Sequence, residues 1–242
     1  MSYEEFVTEI KKYWELRSQG LKKQANRFLF QFTEHFKKDI SRDEADDILF
    51  HFCRDYIDEI KFPGENLPRR HLPFQLSELL YHYFNRECEE NKMPQMRWAF
   101  QIFGKYYNPG GPEGEKNPYY ILEKAYAHDQ CDQQTVDAYF GEQVDVLWWG
   151  QHHFPEGCLI TRKEFEDTVE MAKKILSENS VEQGLAEDFA YYEKLYHIYF
   201  DWEKQGKKGD FYQLCKEEGI AFESMPAFYY SQKHPKKTCG NC

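Results

Sequence analysis

Hairpin turns are missing from this sequence. No Asn-Gly or Asp-Gly pair occurs, and no alternating apolar–polar run is bounded by turn residues. That argues against a sandwich or barrel and leaves Cys158-Leu159-Ile160 as the one place for an extended piece. Long apolar runs are missing too, and none approaches the ~18 residues of a membrane span. The acidic start, Met1-Ser2-Tyr3-Glu4-Glu5, lacks the charge and apolar core of a secretory leader. Paired cysteines are scarce. Seven is an odd number, and Cys53, Cys88, Cys131, Cys158 and Cys215 stand alone, which suits a reducing cytoplasm and not a disulfide framework. Positive charge is short, with 31 Lys and Arg against 42 Asp and Glu. A net charge of −11 argues against nucleic-acid partners and anionic membranes.

The familiar catalytic signatures are absent as well. There is no Gly-x-Ser-x-Gly elbow, no phosphate loop with its Gly-Lys-Ser/Thr ending, and no dinucleotide Gly-x-Gly-x-x-Gly. No Glu-x-x-His pair of the kind that builds carboxylate di-metal bundles occurs either. The expectation is that the chain is not an enzyme and needs no cofactor.

What is present is a helical period almost throughout. Phe6, Ile10 and Tyr13 share one face, as do Ala25, Leu29, Phe32 and Phe36. Ser41 with Glu44, and Thr161 with Glu164, are capping boxes that open helices. Asp132 is placed to cap another. Helix starts are expected near 3, 21, 41, 74, 94, 117, 132, 161, 181 and 210. The fold expected is all-α, about ten amphipathic helices in an irregular bundle or a solenoid-like stack of helical hairpins. Aromatics are 18% of the chain, and rings are expected to carry much of the core volume. The Pro- and Gly-rich stretch from Asn108 to Lys116 divides an N-terminal sub-bundle, 1–107, from a C-terminal one, 108–226. Residues 227–242 lack any period and read as a flexible tail.

Three constellations could carry function. The tail ends in His234 and Cys239-x-x-Cys242, which offer up to three metal ligands; a silent tail is the plainer reading. The segment after Trp149 holds His152, His153 and Glu156, the basis of an alternative, metal-assisted helical enzyme. Adjacent His side chains diverge, however, and Pro155 stops any helix that would return Glu156 to them.

The third is electrostatic. Residues 108–160 hold 9 carboxylates and 2 lysines, a surplus of 7 within the net 11. The helix in this stretch has Val136, Phe140, Val144, Leu147 and Trp148 as its expected buried side. Asp137, Gly141, Asp145 and Trp149 recur at every fourth position on another side, with Glu142 at the edge. Gly141 in mid-helix suggests a close neighbour. Asp137, Glu142, Asp145, Trp149, His152 and His153 are therefore the expected contacts to a basic protein partner. Inhibitors of basic nucleic-acid-cleaving toxins use such surfaces, so a bacterial immunity or antitoxin role is one concrete form of this expectation.

Overall fold

The computed structural model describes residues 1–59, 72–105, 107 and 117–223. Ten α-helices and no strand occur among them. They are α1 (Tyr3–Ser18), α2 (Lys22–Asp39), α3 (Arg42–Cys53), α4 (Phe74–Glu89), α5 (Gln95–Phe103), α6 (Tyr120–Tyr126), α7 (Gln133–Gly150), α8 (Arg162–Glu178), α9 (Gln183–Lys204) and α10 (Phe211–Glu217). The all-α expectation holds. In Cys158-Leu159-Ile160 the last two residues form a bend and Cys158 has no regular structure, so no strand forms there. The loop after Ile60, most of 106–116, and the tail with His234, Cys239 and Cys242 lie outside the described residues.

Caps set the helix starts as the residue types dictate. The Glu164 carboxylate accepts from the Thr161 N–H at 2.6 Å, and the Thr161 hydroxyl accepts from the Glu164 N–H at 3.1 Å. Glu44 closes on Ser41 in the same way. Asp132 accepts from both the N–H and the hydroxyl of Thr135, at 2.7 and 2.6 Å, and so opens α7. A further box, Ser2 with Glu5, opens α1.

The chain divides into two compact units, Met1–Thr135 and Val136–Cys242. In unit 1, Phe6 of α1 meets Phe32 and Phe36 of α2 and Phe52 of α3, with ring centroids 5.2–5.5 Å apart. These rings fill the space a small aliphatic core would leave. The third helix does not stay α-helical toward Ile60 as its period suggests. From Arg54 to Asp58 it widens into a single π turn. That turn re-aims two carboxylates into the unit. Asp55 accepts from the Tyr3 hydroxyl at 2.7 Å, and Asp58 receives the buried Arg97 guanidinium of α5 at 2.7 and 3.2 Å.

Unit 2 holds α7 from Val136 onward, α8, α9 and α10. Phe165 of α8 stacks on Tyr196 of α9 at 4.9 Å, and Lys173 pairs with Glu193 at 2.6 Å, so α8 and α9 run antiparallel. α7 and α9 run the same way. Asp137 accepts from the Glu182 N–H at 3.0 Å, Phe140 meets Phe189 at 5.7 Å, and the Tyr196 hydroxyl donates to the Leu147 carbonyl at 2.9 Å. Contacts that climb both helices in step require parallel directions.

Two glycines of α7 behave differently. A Cβ at Gly150 would overlap the Tyr196 hydroxyl and lie 2.7 Å from Ile160 Cγ1, so only glycine admits this approach. At Gly141, by contrast, a methyl would meet Leu185 at 3.9 Å, an ordinary van der Waals contact. The close neighbour expected at Gly141 is thus at Gly150 instead. Gly141→Ala should stabilise the protein by about 0.5–1 kcal/mol, because it removes backbone freedom from the unfolded chain without a clash. A denaturation midpoint at or below that of the unaltered chain would contradict this.

Candidate functional site

The candidate site lies along α7 and the loop that follows it in unit 2. Val136, Phe140, Val144 and Leu147 are buried as their period requires, joined by Tyr139 and Gln143. Trp148 is a correction. Its period puts it on the buried side, yet it is 41% exposed. Each helical residue turns 100° from the last, and Leu147 already occupies the inward position at the last full turn. The Trp148 ring lies instead against His152, with centroids 4.3 Å apart and planes perpendicular. His152 Nδ1 is 2.9 Å from the Trp148 carbonyl, so that nitrogen carries the proton. Trp149 is 57% exposed and also faces His152, at 5.4 Å. Two indoles and an imidazole therefore form one partly exposed aromatic corner where α7 ends.

The predicted stripe is only partly a solvent face. Asp145 is exposed. Asp137 is half-buried and its carboxylate is turned to the first turn of α9 through the Glu182 N–H. It serves as a helix cap there, where a carboxylate also meets the positive end of the helix dipole. Glu142 is half-buried. His153 and Glu156 are exposed, and the Glu156 carbonyl accepts from Lys207 Nζ at 3.1 Å. Among the described residues no three His, Cys, Asp or Glu side chains form a group that could hold a metal ion. His152, His153 and Glu156 are thus not brought together as ligands.

Sequence reasoning missed Asp188 of α9, which acts with Asp145 of α7 on Tyr192. The Tyr192 hydroxyl is pushed up to about 12, first by burial and then by the negative charges of Asp188 and Asp145. Carboxylates from two helices therefore act electrostatically on one half-buried phenol. No sequence signal could pair them, because the parallel register of α7 and α9 is set by the intervening α8. Across 136–160 there are four carboxylates, Asp137, Glu142, Asp145 and Glu156, and no Lys or Arg.

Nucleophilic chemistry finds no poised group among the described cysteines. Burial pushes the thiols of Cys53, Cys88, Cys131, Cys158 and Cys215 upward, the opposite of what an activated thiolate needs. No described helix is long and apolar enough to cross a membrane. No protein-family model, curated protein or solved structure matches the chain.

Proposed function

We propose that this protein is a non-enzymatic interaction module that captures a basic protein partner on the α7/α9 face of unit 2. One observation carries the reading. Trp148 and Trp149 stand exposed at the end of α7, and residues 136–160 carry four carboxylates and no Lys or Arg. Exposed indoles are costly to leave in water and are the residues most often found as anchors at interfaces. Carboxylates around them steer a cationic partner and set its on-rate. The finer form, an inhibitor of a basic nucleic-acid-cleaving toxin of the immunity or antitoxin kind, follows the same electrostatics by analogy.

The test separates a local site from mere net charge. A short Lys/Arg-rich peptide is titrated against the full chain at low salt. Asp145→Lys with Asp188→Lys should weaken binding at least several-fold, mainly through slower association. Glu166→Lys with Glu170→Lys, on the exposed side of α8, makes the same charge change elsewhere and should do far less. Equal losses from both pairs would mean that the peptide senses total charge alone, and the proposal would fail.

A further inference from the structure

We infer that the closed end of the α1–α2 hairpin in unit 1 docks on an anionic lipid surface, its cations among the headgroups and Leu21 and Phe30 entering the apolar boundary. This surface belongs to a different unit from the partner face on α7 and does not depend on it.

The charge is local and unspent. Residues 11–31 hold six cations, Lys11, Lys12, Arg17, Lys22, Lys23 and Arg27, and one carboxylate, Glu15. The rest of the chain is acidic enough to bring the net charge to −11. Among the described residues none of the six forms an ion pair, whereas Lys37, Arg42, Arg86, Lys92 and Arg97 of the same unit each pair with a carboxylate.

The fold gathers these cations. Lys12 Nζ lies 4.6 Å from the Phe28 centroid, and Phe6 meets Phe32 and Phe36. The two helices therefore run antiparallel, with residue 12 level with residue 28. From Lys11 to the turn at Gly20 is about 14 Å of helix, and all six cations attach within that length of hairpin. Five of them are exposed and Arg17 is half-buried. Ala25, Leu29, Phe32 and Phe36 turn one side of α2 inward, and at 100° per residue Lys23, Arg27 and Phe30 fall on the other. Phe30 is 54% exposed there, and Leu21, at the N-cap of α2, is 38% exposed.

Apolar side chains standing among unpaired cations match a membrane interface. Leucine and phenylalanine gain by entering the boundary between headgroups and acyl chains, while Lys and Arg bind the anionic headgroups above it. Four of the six cations are lysines, point charges on flexible stems, which suit a fluid array of headgroups better than a fixed bidentate acceptor. A nucleic-acid backbone would use the cations but offers nothing to an aliphatic Leu21. The net negative charge does not forbid the contact, because screening over ~8 Å at physiological salt leaves the surface to respond to the nearest charges.

The experiment sediments the full chain with vesicles of phosphatidylcholine, alone or with about 30% phosphatidylserine, at ~0.1 M salt. Binding should require phosphatidylserine and fall about ten-fold or more at ~0.5 M salt. Lys23→Glu with Arg27→Glu should weaken it about ten-fold or more. Lys174→Glu with Lys204→Glu, exposed in unit 2, makes the same charge change and should alter it by less than about two-fold. Phe30→Ser should weaken binding by about three- to ten-fold with helicity unchanged. Should that variant lose helicity, Leu21→Ser reads the same apolar contribution. Failure to bind the phosphatidylserine vesicles, equal losses from the two reversal pairs, or indifference to the apolar substitutions overturns the inference. A mixed-sequence RNA oligonucleotide is the competing polyanion. If it binds through Lys23 and Arg27 while the vesicles are ignored, the hairpin takes a phosphate backbone and the lipid assignment falls.

Discussion

Arg97→Leu should destabilise the protein by about 3–5 kcal/mol, one of the largest single effects in the chain. The side chain is 1% exposed. Its guanidinium donates to both oxygens of Asp58, to Asp132 at 3.1 Å and to Gln101 at 3.1 Å. Asp58 also accepts from the Trp98 indole N–H at 3.0 Å. Removing the cation leaves the Asp58 carboxylate, itself only 15% exposed, with one indole donor in place of a bidentate partner. An unmatched buried charge is costly, whereas replacing both members of the pair costs much less. Arg97→Leu combined with Asp58→Asn should therefore be less destabilising than the sum of the single changes. Strict additivity in chemical denaturation would show that the two side chains do not act as a pair. The network also responds to acid. Burial raises the Asp132 carboxyl, but the Thr135 hydroxyl and amide and the Arg97 guanidinium outweigh it and hold it below its usual value. A depressed carboxyl contributes stability above its unfolded value, near pH 3.9, and that contribution fades as pH falls through the folded value. Asp132→Asn should accordingly flatten the stability profile below about pH 4.

How far the sequence discloses this structure depends on which interaction places each residue. Phe6, Leu29, Phe36, Phe52 and Phe140 are all buried where a 3.6-residue period puts them. Ser41, Thr161 and Asp132 cap where short polar side chains precede an apolar run. These are local effects, and a single segment carries the whole signal. The π turn is not local in that sense. Nothing in Arg54-Asp55-Tyr56-Ile57-Asp58 itself demands the wider turn, and its two inward carboxylates find partners on α1 and α5, 52 and 39 residues away. Trp148 misleads for a related reason. An apolar residue beside Leu147 reads as core, but the inward space is already filled. The stripe on α7 was legible as a pattern, yet its meaning changed on packing. Asp137 spends its charge on the start of α9, and Asp188 supplies a carboxylate that no reading of α7 alone could provide.

Phe154→Ala should cost about 3–5 kcal/mol, although the residue lies in a loop between helices where substitutions are usually mild. The loop is an exception because its central ring is core. Phe154 is buried, parallel to the Tyr199 ring at 4.0 Å, and edge-on to Tyr196 at 5.1 Å and Phe211 at 6.0 Å. Truncation removes the transfer energy of a whole ring and leaves a void between α9 and α10 that rigid aromatic neighbours close poorly. Phe154→Leu keeps much of the volume and should cost about 1–2 kcal/mol. Trp149→Ala, five residues earlier but largely exposed, should stay within about 0.5 kcal/mol. The loop around the ring is tied at both ends, by the Leu159 N–H to the Gly150 carbonyl at 2.8 Å and by Lys207 to the Glu156 carbonyl. Phe154 is what holds the middle, and with it the position of His152 against the two indoles. Phe154→Ala should therefore also expose the loop to proteolysis under conditions where the protein remains mostly folded, and weaken binding of the basic peptide even where stability permits it. Limited proteolysis and denaturation on the same three variants check the order. If Phe154→Ala proves no more destabilising than Trp149→Ala, the aromatic stack is not what fixes the end of α7, and the corner beside it has some other support.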